Sequence, residues 1–380
     1  KEKKMKKIVL GLLVVWMAAL TADLSAKSGP GPKKSGKCAV KNVIYMIGDG
    51  MGLSQVSMMM LENGYRPTAF DRSGNIALIK TYSANNRVTD SAAAGTALAS
   101  GNKTDNGMLG MGPDGQVFKS IMERAKEEGY QTGLVVTVYL QHATPGAFFA
   151  HVPSRGDLDV ISEQFVESGV DVALGGGKKF LQEGQKDGKP LIDALKTKDY
   201  RIVYDMNELN GVDRGKVVGL FADEYMPTVM KGRDENYLCN ATKKALEILS
   251  NNAAGSKKGF MVMIEGSQID SEGHANNAEG ILAETRDFER AVGAAMDFAD
   301  THPGTLVVVT ADHETSGLSI TSNKTDFTLS ESGIGYQFGT TGHTGTLVPV
   351  YLYGACADRI NGIMDNTDLP KEIAALMRLK

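Results

Sequence analysis

Several histidine and carboxylate residues of this sequence stand at spacings that could bind metal ions. Asp270 comes four residues before His274, so both side chains can reach one ion across a helical turn or a tight loop. His313 directly follows Asp312, and His343 lies in the glycine-flanked loop sequence GHTG. Because imidazole and carboxylate ligands together suit Zn²⁺, these motifs indicate metal centres.

Together with further oxygen ligands, these residues combine into three candidate sites. The predicted groups are Asp270 with His274 and His343 for one zinc ion, Asp49 with Asp312 and His313 for a second zinc ion, and Asp49 with Thr144 and Glu265 for a magnesium ion. Two metal ions close together stabilise the entering and leaving oxygens of an in-line displacement on phosphorus. Any one motif could instead be a surface pair or an ordinary loop. Their joint occurrence is what predicts a site.

The segment VTDSAAAGTALASG, residues 88–101, predicts a helix with Ser91 in its first turn. Thr89 and Asp90 can cap the N-terminus of this helix, and Gly101 suits its C-terminal end. The N–H groups of a first turn and the positive end of the helix dipole favour an anion. The Ser91 hydroxyl can therefore meet a phosphate or act as a nucleophile. On this stretch alone, a purely structural role in capping the helix is an equally open alternative.

A planar cation is the remaining part that phosphate chemistry requires. Arg155, in the sequence VPSRG, follows the segment that contains His142. Its guanidinium group can hold two phosphate oxygens at once. The alternative for Arg155 is an ordinary surface arginine.

The elements that must position these residues are short apolar runs that alternate with amphipathic helical segments. Strands are predicted at 43–47, 76–82, 132–138, 170–174, 217–221, 260–264, 305–310 and 347–353, and further helices at 117–128, 236–250 and 278–299. This order predicts an α/β fold with a central, mainly parallel sheet flanked by helices on both faces and short surface insertions, of which 322–342 is one. Asp49, Glu265 and Asp312 each follow a strand, at the sheet edge where ligands bind.

The N-terminus has the pattern of an export signal. Residues 1–26 combine lysines, an apolar run and small residues, so we expect a cleaved signal peptide with Met5 as the true start. A retained membrane anchor is the alternative. Residues 27–40 are expected to be a flexible linker and 41–380 one catalytic domain. Three cysteines allow at most one intrachain disulfide. The net charge of −4 argues against a nucleic-acid-binding protein.

Seven motifs, in this order, resemble those of the alkaline phosphatases and span nearly the whole chain after the leader. They are IGDGMG at 47–52, VTDSAAAGTALASG at 88–101, HATPGA at 142–147, HVPSRG at 151–156, EGSQID with GHAN at 265–276, TADHET at 310–315 and GHTG at 342–345. The resemblance implies a periplasmic or secreted phosphomonoesterase with two zinc ions and one magnesium ion, and a homodimer is expected from it. It implies the same three metal groups, with the Ser91 oxygen added to the second zinc ion, a phosphoserine at Ser91, Arg155 on the phosphate and Asp90 positioning Arg155.

The sequence departs from the best-known enterobacterial pattern at two positions. His142 stands where that pattern has Asp, and Ser271 where it has Lys. We expect His142 beside the magnesium site to weaken magnesium binding, and Ser271 to leave the phosphate with one cation fewer.

Three other functions are alternatives for a sequence with these motifs. A sulfatase needs a Cys or Ser in the context C/S-x-P-x-R, which none of the three cysteines provides. A phosphodiesterase usually has Thr where Ser91 stands. A metal-storage or phosphate-scavenging protein is the remaining alternative, and Ser91 and Arg155 discriminate against it because a metal store needs neither.

Overall fold

The predicted apolar runs form the strands of one large sheet. The structure is a computed structural model that describes residues 38–186, 189–322 and 334–380. The predicted signal peptide and residues 27–37 of the predicted linker lie outside the described residues. The strands in chain order are β1 (Asn42–Gly48), β2 (Asn75–Lys80), β3 (Gln131–Tyr139), β4 (Val172–Gly176), β5 (Gln185–Lys186), β6 (Lys189–Pro190), β7 (Tyr200–Val203), β8 (Lys216–Leu220), β9 (Phe260–Gly266), β10 (Thr305–Thr310), β11 (Glu314–Thr315), β12 (Leu318–Ser322), β13 (Ile334–Phe338), β14 (His343–Thr344), β15 (Val348–Gly354) and β16 (Gly362–Asp365).

The helices lie between these strands, as expected for crossover connections in a parallel sheet. In the described residues they are α1 (Leu53–Glu62), α2 (Ser91–Ser100), α3 (Ile121–Glu127), α4 (Ala143–Gly146), α5 (Leu158–Ser168), α6 (Lys178–Glu183), α7 (Leu191–Thr197), α8 (Met206–Asn210), α9 (Tyr237–Asn252), α10 (Gln268–His274), α11 (Ala278–Thr301) and α12 (Asp368–Met377). None of them combines the length and the apolar composition that a membrane crossing requires.

The central sheet has ten strands in the order β16-β2-β15-β10-β1-β9-β3-β4-β8-β7. Strand β15 pairs antiparallel with both of its neighbours, and all other pairs in this sheet are parallel. Every residue of β1, β9 and β10 is buried. Strands covered on both faces read as continuous apolar runs, which is why the sequence revealed them. The predicted α/β fold is confirmed.

Two boundaries differ from the prediction for identifiable reasons. The helix predicted at 117–128 begins only at Ile121, because the Ser120 side chain accepts from the backbone N–H of Glu123 while Glu123 caps the Ser120 N–H in return. Part of the predicted irregular insertion 322–342 is regular: β13 pairs antiparallel with β12. Of the three cysteines, Cys239 is a buried free thiol.

Candidate active site

Three neighbouring strands bring carboxylates to one edge of the sheet. Ile47 of β1 is level with Thr310 of β10 on one side and with Glu265 of β9 on the other. Asp49 comes two residues after Ile47, and Asp312 comes two residues after Thr310. Both acids therefore lie beside Glu265 at the carboxyl ends of adjacent strands. The sequence predicted this edge, and the register of the strands shows why the three acids meet there.

These acids are buried, and most of their carboxylate oxygens lack a hydrogen-bond donor. Among the described residues, no hydrogen-bond partner is found for either carboxylate oxygen of Asp49 and of Glu265, for Oδ2 of Asp312 or for Oγ1 of Thr144, and all four residues are fully buried. Burial, with the nearby carboxylates, raises the pKa of Asp49 well above its usual value, and burial raises the pKa of Glu265 to about 8. Uncompensated buried carboxylates cost several kcal/mol each, roughly, so this arrangement fits divalent cations.

His274 and His343 face each other through their Nε2 atoms, which are 3.2 Å apart. Nδ1 of His274 lies 2.6 Å from the carbonyl oxygen of Thr341, and Nδ1 of His343 lies 2.8 Å from that of Thr89. A carbonyl only accepts, so each Nδ1 carries the proton and each Nε2 is left free to bind a metal ion. Asp270 completes the group, at 3.3 Å from His274 Nε2 and 3.5 Å from His343 Nε2.

His313 is oriented by a side chain instead of a backbone carbonyl. The Thr315 hydroxyl donates to Asp270, so its oxygen accepts from Nδ1 of His313 at 3.2 Å. Nε2 of His313 then points to Oδ2 of Asp312 at 3.1 Å and Oδ1 of Asp49 at 3.4 Å. The histidine ring is fully buried and stacks on the ring of His343.

The local electrostatics are those of a site that attracts positive charge. Hydrogen bonding to Asp270 raises the pKa of His274 to about 9. Although burial opposes it, the hydrogen bond with His274 and the charges of His313 and His343 hold the pKa of Asp270 well below its usual range. Protons and metal ions compete for the same lone pairs, so the carboxylates that favour the protonated imidazole also favour a bound cation.

Ser91 is the first residue of α2 and is buried beside these groups. Oδ1 of Asp90 accepts from the backbone N–H of Ala93 at 3.0 Å, which caps the helix as predicted, and Gly101 ends it with a positive φ of 75°. Thr89 does not serve as the cap. The Ser91 hydroxyl lies 3.3 Å from Nε2 of His313, so the structure brings the predicted nucleophile to the predicted metal ligands.

Arg155 lines a cavity of about 390 Å³ together with Ser91, Asp270 and His343. Its Nη1 donates to Oδ2 of Asp90 at 3.2 Å, and its Nη2 donates to Nε2 of His142 at 3.2 Å. The guanidinium plane is therefore held from two directions, which leaves its remaining N–H groups for an anion in the cavity.

His142 is neutral because burial, reinforced by the charge of Arg155, lowers its pKa to about 3. Since Nε2 accepts from Arg155, Nδ1 carries the proton, and this buried nitrogen has no hydrogen-bond partner. A protonated Nδ1 is a hydrogen-bond donor and not a metal ligand. If Asp49 and Glu265 held a hydrated metal ion, this N–H could donate to one of its water molecules.

The structure brings all twelve predicted site residues to this edge. Within the described part of the chain, potential His and carboxylate ligand atoms within 4.8 Å of one another form three groups: Asp49, Asp312 and His313; Asp270, His313 and His343; and Asp49, His142 and Glu265. His313 thus reaches two groups instead of the one predicted, and His142 is nearer to Asp49 and Glu265 than its predicted role required. His274 is in none of these groups, although its Nε2 lies next to Asp270 and His343.

Sequence reasoning did not single out two residues of the site. Thr315 links Asp270 to His313, and Tyr225 lines the cavity from the loop after β8. Thr315 is the last residue of the motif TADHET at 310–315, so the sequence alone could have indicated its hydroxyl as a part of the site. Tyr225 stands in an irregular segment that carries no motif.

Comparison with known proteins supports a single family. The family model for alkaline phosphatase matches residues 40–332. The chain is 38% identical to alkaline phosphatase 4 of Bacillus subtilis, over 80% of this chain and 67% of the relative, and 33% identical to the alkaline phosphatase of Escherichia coli, over 90% and 86%. Among solved structures, the alkaline phosphatase of the Antarctic bacterium TAB5 superposes with a TM-score of 0.84 at 37% identity, over 90% of this chain and 99% of that one. The chain, with its metal-binding sheet edge, its buried serine and its arginine, belongs to the alkaline phosphatase family and is a phosphatase.

Proposed function

We propose that this chain is an exported phosphomonoesterase that hydrolyses a broad range of phosphate monoesters through a phosphoserine at Ser91. The observation that carries the proposal is the position of the Ser91 hydroxyl, 3.3 Å from His313 Nε2 and in one cavity with Arg155. A metal store would need neither a serine nor an arginine at this place. The substrate range is broad because the cavity groups that converge on the serine recognise a phosphoryl group.

We propose that the three ligand groups predicted from the sequence hold two zinc ions and one magnesium ion. We assign Asp270, His274 and His343 to one zinc ion, Asp49, Asp312, His313 and the Ser91 oxygen to the second, and Asp49, Thr144 and Glu265 to magnesium. When bound, the zinc ions would lower the pKa of the serine hydroxyl and of water, and would stabilise negative charge on the entering and leaving oxygens.

The residues of the chain bind and orient the phosphoryl group. Arg155 holds two of its non-bridging oxygens, and Asp90 and His142 fix the arginine in place. The Ser91 oxygen bonds to phosphorus while the bond from phosphorus to the ester oxygen breaks, and the alcohol leaves with a proton. Water then displaces Ser91 from phosphorus, which releases inorganic phosphate and returns the proton to Ser91.

His142 is assigned to the surroundings of the magnesium ion. A histidine-to-aspartate variant of TAB5 alkaline phosphatase, 37% identical to this chain, was solved with magnesium bound in its M3 site. This supports our placing His142 beside a magnesium site formed by Asp49, Thr144 and Glu265. His142 is neutral and adds no negative charge, so we infer that this site binds magnesium weakly.

The remaining assignments concern the whole protein. We propose residues 1–26 as a signal peptide, 27–40 as a linker and 41–380 as one catalytic domain, active in the periplasm or outside the cell. Phosphate monoesters are its substrates, and we expect neither a nucleic-acid-binding surface nor membrane attachment after cleavage. We also propose that the chain forms a homodimer.

Metal analysis together with hydrolysis of a generic aryl phosphate tests the proposal. We expect two zinc ions and up to one magnesium ion per chain, loss of hydrolysis with a chelator, and recovery when both metals are returned. Asp49→Asn removes a carboxylate shared by two groups, so it should lower the content of both metals, whereas Asp193→Asn at the surface should change neither. Hydrolysis that persists in metal-free protein would contradict the proposal, and so would full metal content without hydrolysis.

A further inference from the structure

A second cavity, of about 780 Å³, adjoins the one that contains Ser91. Tyr225 and Ser271 line both cavities. The second cavity has an apolar part formed by Met226, Pro227, Met230 and Ala275, and a polar part formed by Thr228, Lys231, Gln268, Glu272 and Asn277. An alcohol that leaves a phosphoryl group at Ser91 would therefore meet Tyr225 and Ser271 on its way into a larger space with an apolar part.

The Tyr225 ring is both exposed and held in one orientation. It keeps 48% of its surface accessible to solvent. It forms a T-shaped pair with Tyr139, with ring centroids 4.9 Å apart at 90°, and a second one with the His142 ring, with centroids 5.9 Å apart. Tyr139 in turn packs on Phe180 at 5.1 Å. The ring is therefore a fixed surface and not a freely rotating side chain.

The backbone on the N-terminal side of Tyr225 is fixed to the sheet. The N–H of Gly177 is shared between the carbonyls of Ala222 and Glu224, both at 3.1 Å. A Cβ at Gly176 would lie 2.0 Å from the Glu224 carbonyl oxygen, so the loop passes directly over this glycine. Only a residue without a side chain permits this approach.

The backbone after Tyr225 is fixed by buried side chains. Gln268 donates to the carbonyl of Met226 at 2.7 Å. Arg233 donates to the carbonyl of Pro227 at 3.0 Å, while its Nη2 pairs with the buried carboxylates of Glu284 and Asp287 at 2.5 and 3.0 Å. Hydrogen bonds to charged groups in the interior are strong, so the loop position is well determined.

We propose that Tyr225 and this second cavity form a subsite for a flat aromatic ring on the leaving alcohol. Within its broad range, the enzyme then favours phosphate monoesters of ring-bearing alcohols over those of small aliphatic alcohols. A rigid, half-exposed ring beside the phosphoryl site offers a face for stacking without a cost for ordering it. The small side chain of Ser271 leaves the passage between the cavities open. This inference rests on the proposed phosphomonoesterase function.

Selectivity measured with the zinc- and magnesium-loaded enzyme tests the inference. Because of the energies of aromatic stacking, Tyr225→Ala should lower kcat/KM for 1-naphthyl phosphate about 5- to 20-fold more than it lowers kcat/KM for glycerol 1-phosphate. Tyr225→Phe keeps the ring and should keep the selectivity. Tyr204→Ala removes a tyrosine of similar exposure, 42%, that lines neither cavity, so it should alter neither substrate.

Binding of non-hydrolysable analogues separates this inference from the proposed function. Wild type should bind naphthylphosphonate more tightly than methylphosphonate in calorimetry, and Tyr225→Ala should reduce that ratio by the same factor as in the kinetics. If both analogues bind and both substrates react, but the ratios are equal in wild type and Tyr225→Ala, the subsite is refuted and the phosphatase function stands. If no phosphonate binds and no monoester is hydrolysed, the proposed function itself has failed.

Discussion

The imidazoles of His274, His313 and His343 present Nε2 to the site because the Nδ1 proton of each has a fixed acceptor. Two of these acceptors are the backbone carbonyls of Thr89 and Thr341, and the third is the Thr315 hydroxyl. The ligand types could be predicted from the sequence, since Asp270 with His274 and Asp312 with His313 stand in short motifs. The two carbonyl acceptors could not, because a backbone carbonyl has no residue type to recognise and becomes a partner only through the fold.

Arg155 is predicted to bind phosphate through two parallel hydrogen bonds. Arg155→Lys keeps the positive charge but loses the planar fork, so the inhibition constant of inorganic phosphate should rise about 10- to 100-fold. Competitive inhibition by phosphate measures the change. Arg72→Lys, at a surface pair with Asp297 and Asp300, is the matched control and should leave the constant unchanged. Equal phosphate affinity in Arg155→Lys and wild type would remove the arginine from the phosphate site.

His142 is predicted to set the affinity for magnesium. His142→Asp replaces a neutral ring with a carboxylate next to Asp49 and Glu265, so the magnesium concentration for half-maximal activation should fall about 10- to 100-fold. Where release of phosphate limits turnover, kcat should fall as well. His142→Asn is the control, because it removes the ring without adding charge. Titration of magnesium into metal-stripped proteins decides the question: the prediction is wrong if wild type and His142→Asp share one midpoint.

At the level of elements, the buried strands could be predicted from the sequence and the two edge strands of the sheet could not. Strands β1, β9 and β10 are buried on both faces and read as apolar runs, and the acid that follows each identified the functional edge. Strands β7 and β16 lie at the two edges of the sheet and are partly exposed, so no apolar run marks them. They are strands because of the neighbour they pair with, which the local sequence does not contain.

The segment that carries Arg155 is attached to α3 by His151, to which the sequence assigned no role. His151 Nδ1 lies 2.7 Å from the Gly110 carbonyl and its Nε2 lies 2.9 Å from Oε1 of Glu123. Although burial opposes it, the bonds to Glu123 and Gly110 raise the pKa of His151, and a matching bond lowers the pKa of Glu123. Both ring nitrogens donate only when the ring is charged, so the charged form is the one that the fold stabilises.

Stability should therefore depend on pH through His151. A raised folded pKa gives stabilisation that is complete below the unfolded pKa of about 6.5 and is lost as the pH rises through the folded value. His151→Gln should lower the free energy of unfolding by about 1–3 kcal/mol near pH 5.5 and by less near pH 9. Urea unfolding of metal-loaded wild type and variant at both values measures this. A difference that is constant or grows with pH would contradict it.

At the scale of the molecule, the site collects residues from position 49 to position 343 of the chain, and it depends on the whole sheet being formed. Asp49, Glu265 and Asp312 are brought together only by the pairing of β10, β1 and β9. The sequence predicted this meeting because parallel strands share a carboxyl edge. Nothing in the sequence predicted the rigid loop with Tyr225, since its anchors at Gly176, Arg233 and Gln268 come from three separate parts of the chain.

The central claim is that Ser91 takes the phosphoryl group at this edge, and mapping the covalent phosphate tests it most directly. Metal-loaded enzyme is mixed with an aryl phosphate, quenched in acid during turnover, digested and analysed by mass spectrometry. We predict one phosphate on Ser91, absent from chelator-treated enzyme and from Ser91→Ala, whose turnover should fall by several orders of magnitude. A phosphate on any other residue, or rapid hydrolysis by Ser91→Ala, would contradict the account.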